Sequence, residues 1–476
     1  KIEGGTIGSW KADSKTPDTD TGALGGTAEA GAKGGDGIHS NGKINITDSK
    51  IGNAKGGEGK GSGSSSNVSH GIYSQKELTI TDSTIGNAQG GKGKNYGGAG
   101  IYSGNNLNIS GNAFIQNAKG GDSGEGGDSE KRGGVGICNA GTLTISDTAT
   151  IGKAQGGKSS GTGGTGISSS GKLTVSQSAK INNATGGDST DGTGNGGDGI
   201  HSDGEFAISK STSGDAWPNT IGTAQGGKGK SGGKGIFGKT VEIAVGIINQ
   251  AKGGDSTGTS EDATGGAGIS ASESLAISGN GWIEHATGGS AKNGKAGDGI
   301  RSDATLNISG GRIAEAIGGS AESGAGGSGI HGDAGITISG GYIDDATGGS
   351  ANSGNGGAGI GVGETAKIFI KGGTITGTGG TGGAGIGGRK NQNGSVEITG
   401  GVITQATGSG GGAGIGGGSG GSATVAISGD TTSIMATGQD GGAGIGSGSD
   451  SNGGTTVTIS GGVIEQATGI GGAGIG

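Results

Sequence analysis

The dipeptide Gly-Ile, each time preceded by Gly-rich sequence, recurs along the whole 476-residue chain. Its isoleucines are Ile38, Ile72, Ile101, Ile137, Ile167, Ile200, Ile236, Ile269, Ile300, Ile330, Ile360, Ile386, Ile415, Ile445 and Ile475. The fifteen copies are spaced by about 31 residues, and self-similarity at a period of tens of residues marks a solenoid, a propeller or an array. The chain holds 134 Gly but only 3 Trp, 4 Tyr and 4 Phe, too few large side chains for an ordinary enzyme core. With 2 Pro and glycines grouped as GG and GxGG, it lacks the every-third-residue pattern of a collagen helix.

Each repeat carries two further apolar beats. The first alternates, as in Leu78-Thr79-Ile80, Leu143-Thr144-Ile145 and Val457-Thr458-Ile459, which places both apolar residues on one side of a strand. The second follows a Gly-Gly or Asp-Ser break and reads Ile-x-x-Ala-x-Gly-Gly, as at Ile85 with Ala88 and Ile343 with Ala346. The unit is therefore strand, turn, strand, Gly-rich arc, Gly-Ile strand, turn. None of these strands buries a core alone, but stacked coils about 4.8 Å apart pair their backbones and align like residues in interior ladders. The expected fold is all-β: a parallel β-solenoid, right-handed because parallel crossovers are, of about fifteen coils and about 70 Å. The fifteen Gly-Ile isoleucines form its core ladder. The Gly-rich arcs are expected as extended strands stacked coil upon coil, because Gly allows close backbone approach.

Residues 1–476 read as one continuous solenoid, with longer arcs over 1–358, an insertion near Asp215–Asn219, and tighter GGAGIG coils over 359–476. Residues 1–238 hold 22 Lys+Arg and 21 Asp+Glu, residues 239–476 hold 10 and 19, giving +1 and −9. No basic face for nucleic acid emerges. The single Cys138 forms no intrachain disulfide, and no apolar run is long enough to span a membrane. Neither end carries a polar capping unit, so the chain reads as a piece of a longer array or as a segment whose ends meet identical neighbours. Any export signal or anchor is expected outside it.

Residues that carry chemistry are sparse. Asp344-Asp345, Glu261-Asp262 and Glu130-Lys131-Arg132 are isolated charge groups, expected on surface turns where they keep a Gly-rich rod soluble. No catalytic residue, cofactor site or metal site is expected. The position after the Gly-Ile isoleucine is richer, holding His39, Tyr73, Tyr102, His201, Phe237 and His331 among its first ten members and Gly in its last five. Alternation turns this column outward. It is either a stripe for stacking sugars or a partner rod, or a shield for the edge between coils. GGDGIH lacks the period of a calcium-binding nonapeptide, and the GGxGxG strings lack the strand-to-helix setting of a dinucleotide site. Asn-x-Ser/Thr sequons occur at Asn45, Asn67, Asn108, Asn183, Asn307 and Asn393.

At GGDGIHSDGEFAIS (196–209), GDGIRSDATLNISGG (297–311) and the GGAGIG strings toward the end, the chain resembles bacterial extracellular repeat proteins with right-handed β-helices. Carbohydrate-binding β-helix domains and large Gly-rich surface adhesins are among them. The resemblance implies export, attachment at the cell surface, and binding of polysaccharide or neighbouring cells. The expected role is a non-catalytic extracellular rod or filament segment that self-associates, head-to-tail or laterally, or continues in a longer chain. A carbohydrate-binding module is the alternative.

Overall fold

The computed structural model describes residues 1–7, 22–26, 34–59, 68–124, 130–209 and 220–476; the Asp215–Asn219 insertion and the Asn67 sequon lie outside them. The chain is a parallel β-solenoid of about 13 turns with a spacing of about 31 residues, and among the described residues no helix occurs. It divides into two compact units, Lys1–Lys239 and Thr240–Gly476.

In the first unit most coils have three short strands, such as Leu78–Thr81, Thr84–Gln89 and Ile101–Ser103, while Ile200–Ser209 joins two of them in one longer strand. All three pair in parallel with the equivalent strand of the next coil. The register is Leu78 with Leu107 and Leu143, Ile85 with Ile115 and Ile151, and Ile101 with Ile137 and Ile167. These side chains are fully buried, as is Phe206, the largest residue in the core. The turn from first to second strand is made by Asp48, Asp82, Asp147 and Gln177, all in left-handed conformation at φ 47° to 61°. Asp tolerates that region because its short polar side chain bonds locally.

In the second unit Gly takes over this corner, with Gly311, Gly341, Gly373 and Gly401 at φ 75° to 95°. First and second strands then run on as single long strands, Thr305–Ile317, Gly335–Thr347, Ile368–Thr381 and Gly394–Ser409. The expected turn is here a bend within one strand, marked by a register shift after Ile308. Gly permits it because a bulged strand bends without leaving the ladder.

The Gly-rich arcs are ordered in a way that simple like-on-like stacking does not describe. In the first unit Gly121 donates to Gly98, Gly134 to Gly121, Gly157 to Gly134, Gly164 to Gly157 and Gly187 to Gly164, at 2.7–2.9 Å. Gly121, Gly157 and Gly187 follow a second strand, whereas Gly98, Gly134 and Gly164 precede a third strand. Outgoing and returning arcs thus alternate in one hydrogen-bonded column, two backbone passes per coil. The second unit repeats it from Gly266 through Gly289, Gly297, Gly319, Gly327, Gly349 and Gly357 to Gly380. A Cβ on Gly134 would lie 2.0 Å from the Gly98 carbonyl oxygen, so this column excludes every side chain. A smaller patch of Ala291, Ala296, Ala321 and Ala351 packs on the arcs of the second unit.

Of the Gly-Ile isoleucines, those from Ile72 to Ile445 are all fully buried. Two depart from the expected core ladder. Ile38 is half-buried, and Ile475, which bridges to Ile445, is 45% exposed.

Candidate functional site

Around each third strand three positions carry the polar contacts, two before the isoleucine, one after it and three after it. In the first unit these bring Asp36, His39 and Asn41 together, with His39 Nδ1 at 2.6 Å from Asp36 and Nε2 at 3.0 Å from Asn41. His201 is held the same way between Asp198 (2.6 Å) and Asp203 (3.0 Å). Burial works against the charged imidazole of His201, but the hydrogen bonds and charges of Asp198 and Asp203 outweigh it and raise its pKa. The leading Asp also accepts a backbone N–H from the next coil: His70 N to Asp36 and Lys234 N to Asp198, both 2.6 Å. The hexads DGIHSN, DGIHSD and DGIRSD (36–41, 198–203, 298–303) are therefore coil-to-coil staples, legible in the sequence as an Asp three residues before a His or Arg.

The expected aromatic stripe is broken into pieces. His39, Tyr73 and Tyr102 stack, with ring centroids 4.8 and 5.2 Å apart. His70, which lies two residues before its isoleucine and outside the expected column, stacks on both tyrosines at 5.2 and 5.1 Å. Its Nδ1 accepts the Ala99 N–H at 2.9 Å, which fixes a neutral tautomer. Cys138 and Ser168 interrupt the stack. Burial pushes the Cys138 thiol up to about 11. His201 and Phe237 then pair at 4.7 Å, with Lys234 Nζ 4.5 Å above the Phe237 ring. Most of these rings are half-buried, and their faces meet one another rather than solvent.

His331 keeps the register of the outward column but is covered, 3% exposed. It belongs to an ion cluster in the second unit. Arg301 bonds Asp298 (3.0 Å), Asp303 (2.7 Å) and Asp333, and His331 Nε2 meets Asp333 at 2.7 Å. Over them lies Arg389, with Nε 2.9 Å from Ser328 and Nη2 2.6 Å from Asp298. The guanidinium reaches past coils whose outward residues, Gly361 and Gly387, carry no side chain to block it. Burial alone would raise the Asp298 carboxyl, but the neighbouring charges, Arg389 first, hold it well below the usual range. Burial pushes Lys295 down to about 8 and His331 down to about 4. Arg389 was invisible as a site residue because its partner is 91 positions away.

Two recesses lie on the face of the second strands. One, of about 380 Å³ in the first unit, is lined by Lys55, Lys119 and Lys153 and by an amide ladder in which Asn117 donates to Asn87 (2.9 Å) and Asn87 to Asn53 (2.8 Å). The other, of about 370 Å³ in the second unit, is floored by Gly279, Gly281, Gly310, Gly311 and Gly341 and walled by Trp282, Arg312 and Tyr342. Trp282, Arg312 and Tyr342 occupy one register position in three successive coils. Arg312 lies over the Trp282 ring at 5.5 Å and pairs with Asp344, one of the isolated carboxylates of the sequence. Lys131, expected on a surface turn, is buried.

Among the described residues no group of three His, Cys, Asp or Glu side chains is placed to hold a metal ion, and no helix is long and apolar enough to cross a membrane. Comparison of the chain with protein-family models, with curated proteins and with solved structures gave no match, so a functional reading rests on the residues and their geometry.

Proposed function

We propose that this chain is a non-catalytic structural segment of an extracellular or cell-surface fibre or adhesin, of the bacterial Gly-rich repeat type. The observation that carries this reading is the glycine column, in which two backbone passes of each coil hydrogen-bond to those of its neighbours. Stacked parallel ladders of this kind resist bending and local opening because each coil is held by the coils on both sides. Sedimentation and electron microscopy at rising concentration test the reading. Fibres that lengthen as concentration rises support it. A monodisperse species at high concentration overturns polymerisation of this chain.

The alternative, a carbohydrate-binding module, gains little from the His39–Tyr73–Tyr102 stack, whose ring faces are occupied by one another. The recess at Trp282 and Tyr342 favours it instead.

A further inference from the structure

We infer that the recess walled by Trp282, Arg312 and Tyr342 is a binding site for an uncharged, extended polysaccharide lying along the coil axis. The inference rests on the carbohydrate-binding reading and gives it a site and a ligand class. Tyr342 is 57% exposed, the second most exposed large apolar side chain among the described residues, in a chain with few aromatics. Trp282 stands two coils away in the same register. An aromatic ring with a polar tip suits a sugar, whose axial C–H face packs on the ring while its hydroxyls bond to nearby polar atoms.

The floor between these side chains is backbone. A Cβ on Gly311 would lie 2.4 Å from the Gly281 carbonyl oxygen and one on Gly341 2.7 Å from that of Gly310, and both residues have positive φ, so the floor stays bare and a ring can settle against it. The walls offer unmet polar groups. Trp282 Nε1 is buried without a hydrogen-bond partner, and a small turn of the indole gives that donor a hydroxyl acceptor. Arg312 spends Nε on Asp344 and keeps its terminal N–H groups, and the Asn280 amide borders the recess. Successive coils rise by about 4.8 Å, comparable with one unit of an extended glycan, so three coils meet three consecutive sugars.

Charge selects the class. Arg312 is offset by Asp344, Glu315 pairs with His285 at 2.5 Å, and Glu284 and Asp345 lie on the same strands. Residues 239–476 carry −9, which repels a polyuronate or sulfated chain.

Affinity electrophoresis of the full chain through gels containing a soluble neutral β-glucan, or polygalacturonate, tests this, with Tyr342→Ala, Trp282→Ala and Tyr102→Ala beside the parent and circular dichroism to confirm folding. The expected result is retardation by the neutral glucan alone, weakened about ten-fold by Tyr342→Ala and by Trp282→Ala and unchanged by Tyr102→Ala. Tyr342 is exposed, so that variant is informative even if Trp282→Ala unfolds. Retardation lost only in Tyr102→Ala, or seen only with polygalacturonate, overturns this site or class and leaves the carbohydrate reading standing. No retardation in either gel overturns both. So does a Tyr342→Ala effect confined to self-association.

Discussion

Arg389 Nη2 lies 2.6 Å from Asp298 Oδ1, joining residues 91 positions apart through the outward face of the second unit. Asp298 is buried to 1% side-chain exposure and receives Arg301, Lys295 and the Ser328 backbone N–H as well. Arg389 is thus the lid on a balanced cluster, three carboxylates against Arg301, Arg389 and Lys295, at the place where Gly replaces bulky outward residues.

Removing the lid leaves a buried carboxylate short of a partner. Arg389→Met is expected to destabilise the second unit by about 3 kcal/mol, because breaking a buried pair strands its charge. The double variant with Asp298→Asn should cost less than the two single losses combined. Urea unfolding midpoints of the three variants check this.

His331 and His201 should give opposite pH dependences. His331 is pushed down to about 4, so the folded chain keeps it neutral while the unfolded chain takes up a proton below about 6.5. Stability of the second unit therefore falls as pH drops from about 6.5 to about 4, by on the order of 3 kcal/mol, and His331→Gln flattens that slope. His201 is raised, so its contribution is complete at low pH and lost as pH rises through its folded value. Thermal melts at intervals from pH 4 to 8 distinguish the two.

The glycine column should refuse the smallest side chain. A Cβ on Gly327 would lie 1.9 Å from the Gly297 carbonyl oxygen, whereas one on Gly454 meets nothing within 4 Å. Gly327→Ala is expected to open the column and increase amide hydrogen exchange in residues 289–357. Gly454→Ala should leave exchange there unchanged.

Ile269 is fully buried and paired in register with Ile300. Ile269→Ala should cost about 2–5 kcal/mol, and Ile269→Asp, which strands a charge in the ladder, should abolish the folded coil around it. Circular dichroism and protease resistance read both.

Much of this architecture is legible in the chain's own periodicity. The recurrence of Gly-Ile with Leu-x-Ile and Ile-x-x-Ala determines three parallel ladders, since only stacking buries so few apolar residues per unit. The Asp-Ser or Gly-Gly break marks many of the corners, and the left-handed conformation of Asp48, Asp82 and Gly311 gives the reason. The site was harder to read, because side chains on adjacent coils are neighbours at about 31 residues' separation and a column read by one offset misses the others. His70 entered the tyrosine stack from a different offset, and His331 left the surface because Arg389 folds over it.

Local pattern thus determined the strands, their inward faces and the need for glycine in the arcs. Tertiary structure alone decided how the two backbone passes of each coil interleave, which charges are sealed together around Asp298, and that Trp282, Arg312 and Tyr342 share one bare-floored recess. The physical reason is that hydrogen bonding between passes and charge burial depend on coil-to-coil distances of about 5 Å, which no spacing along the chain encodes.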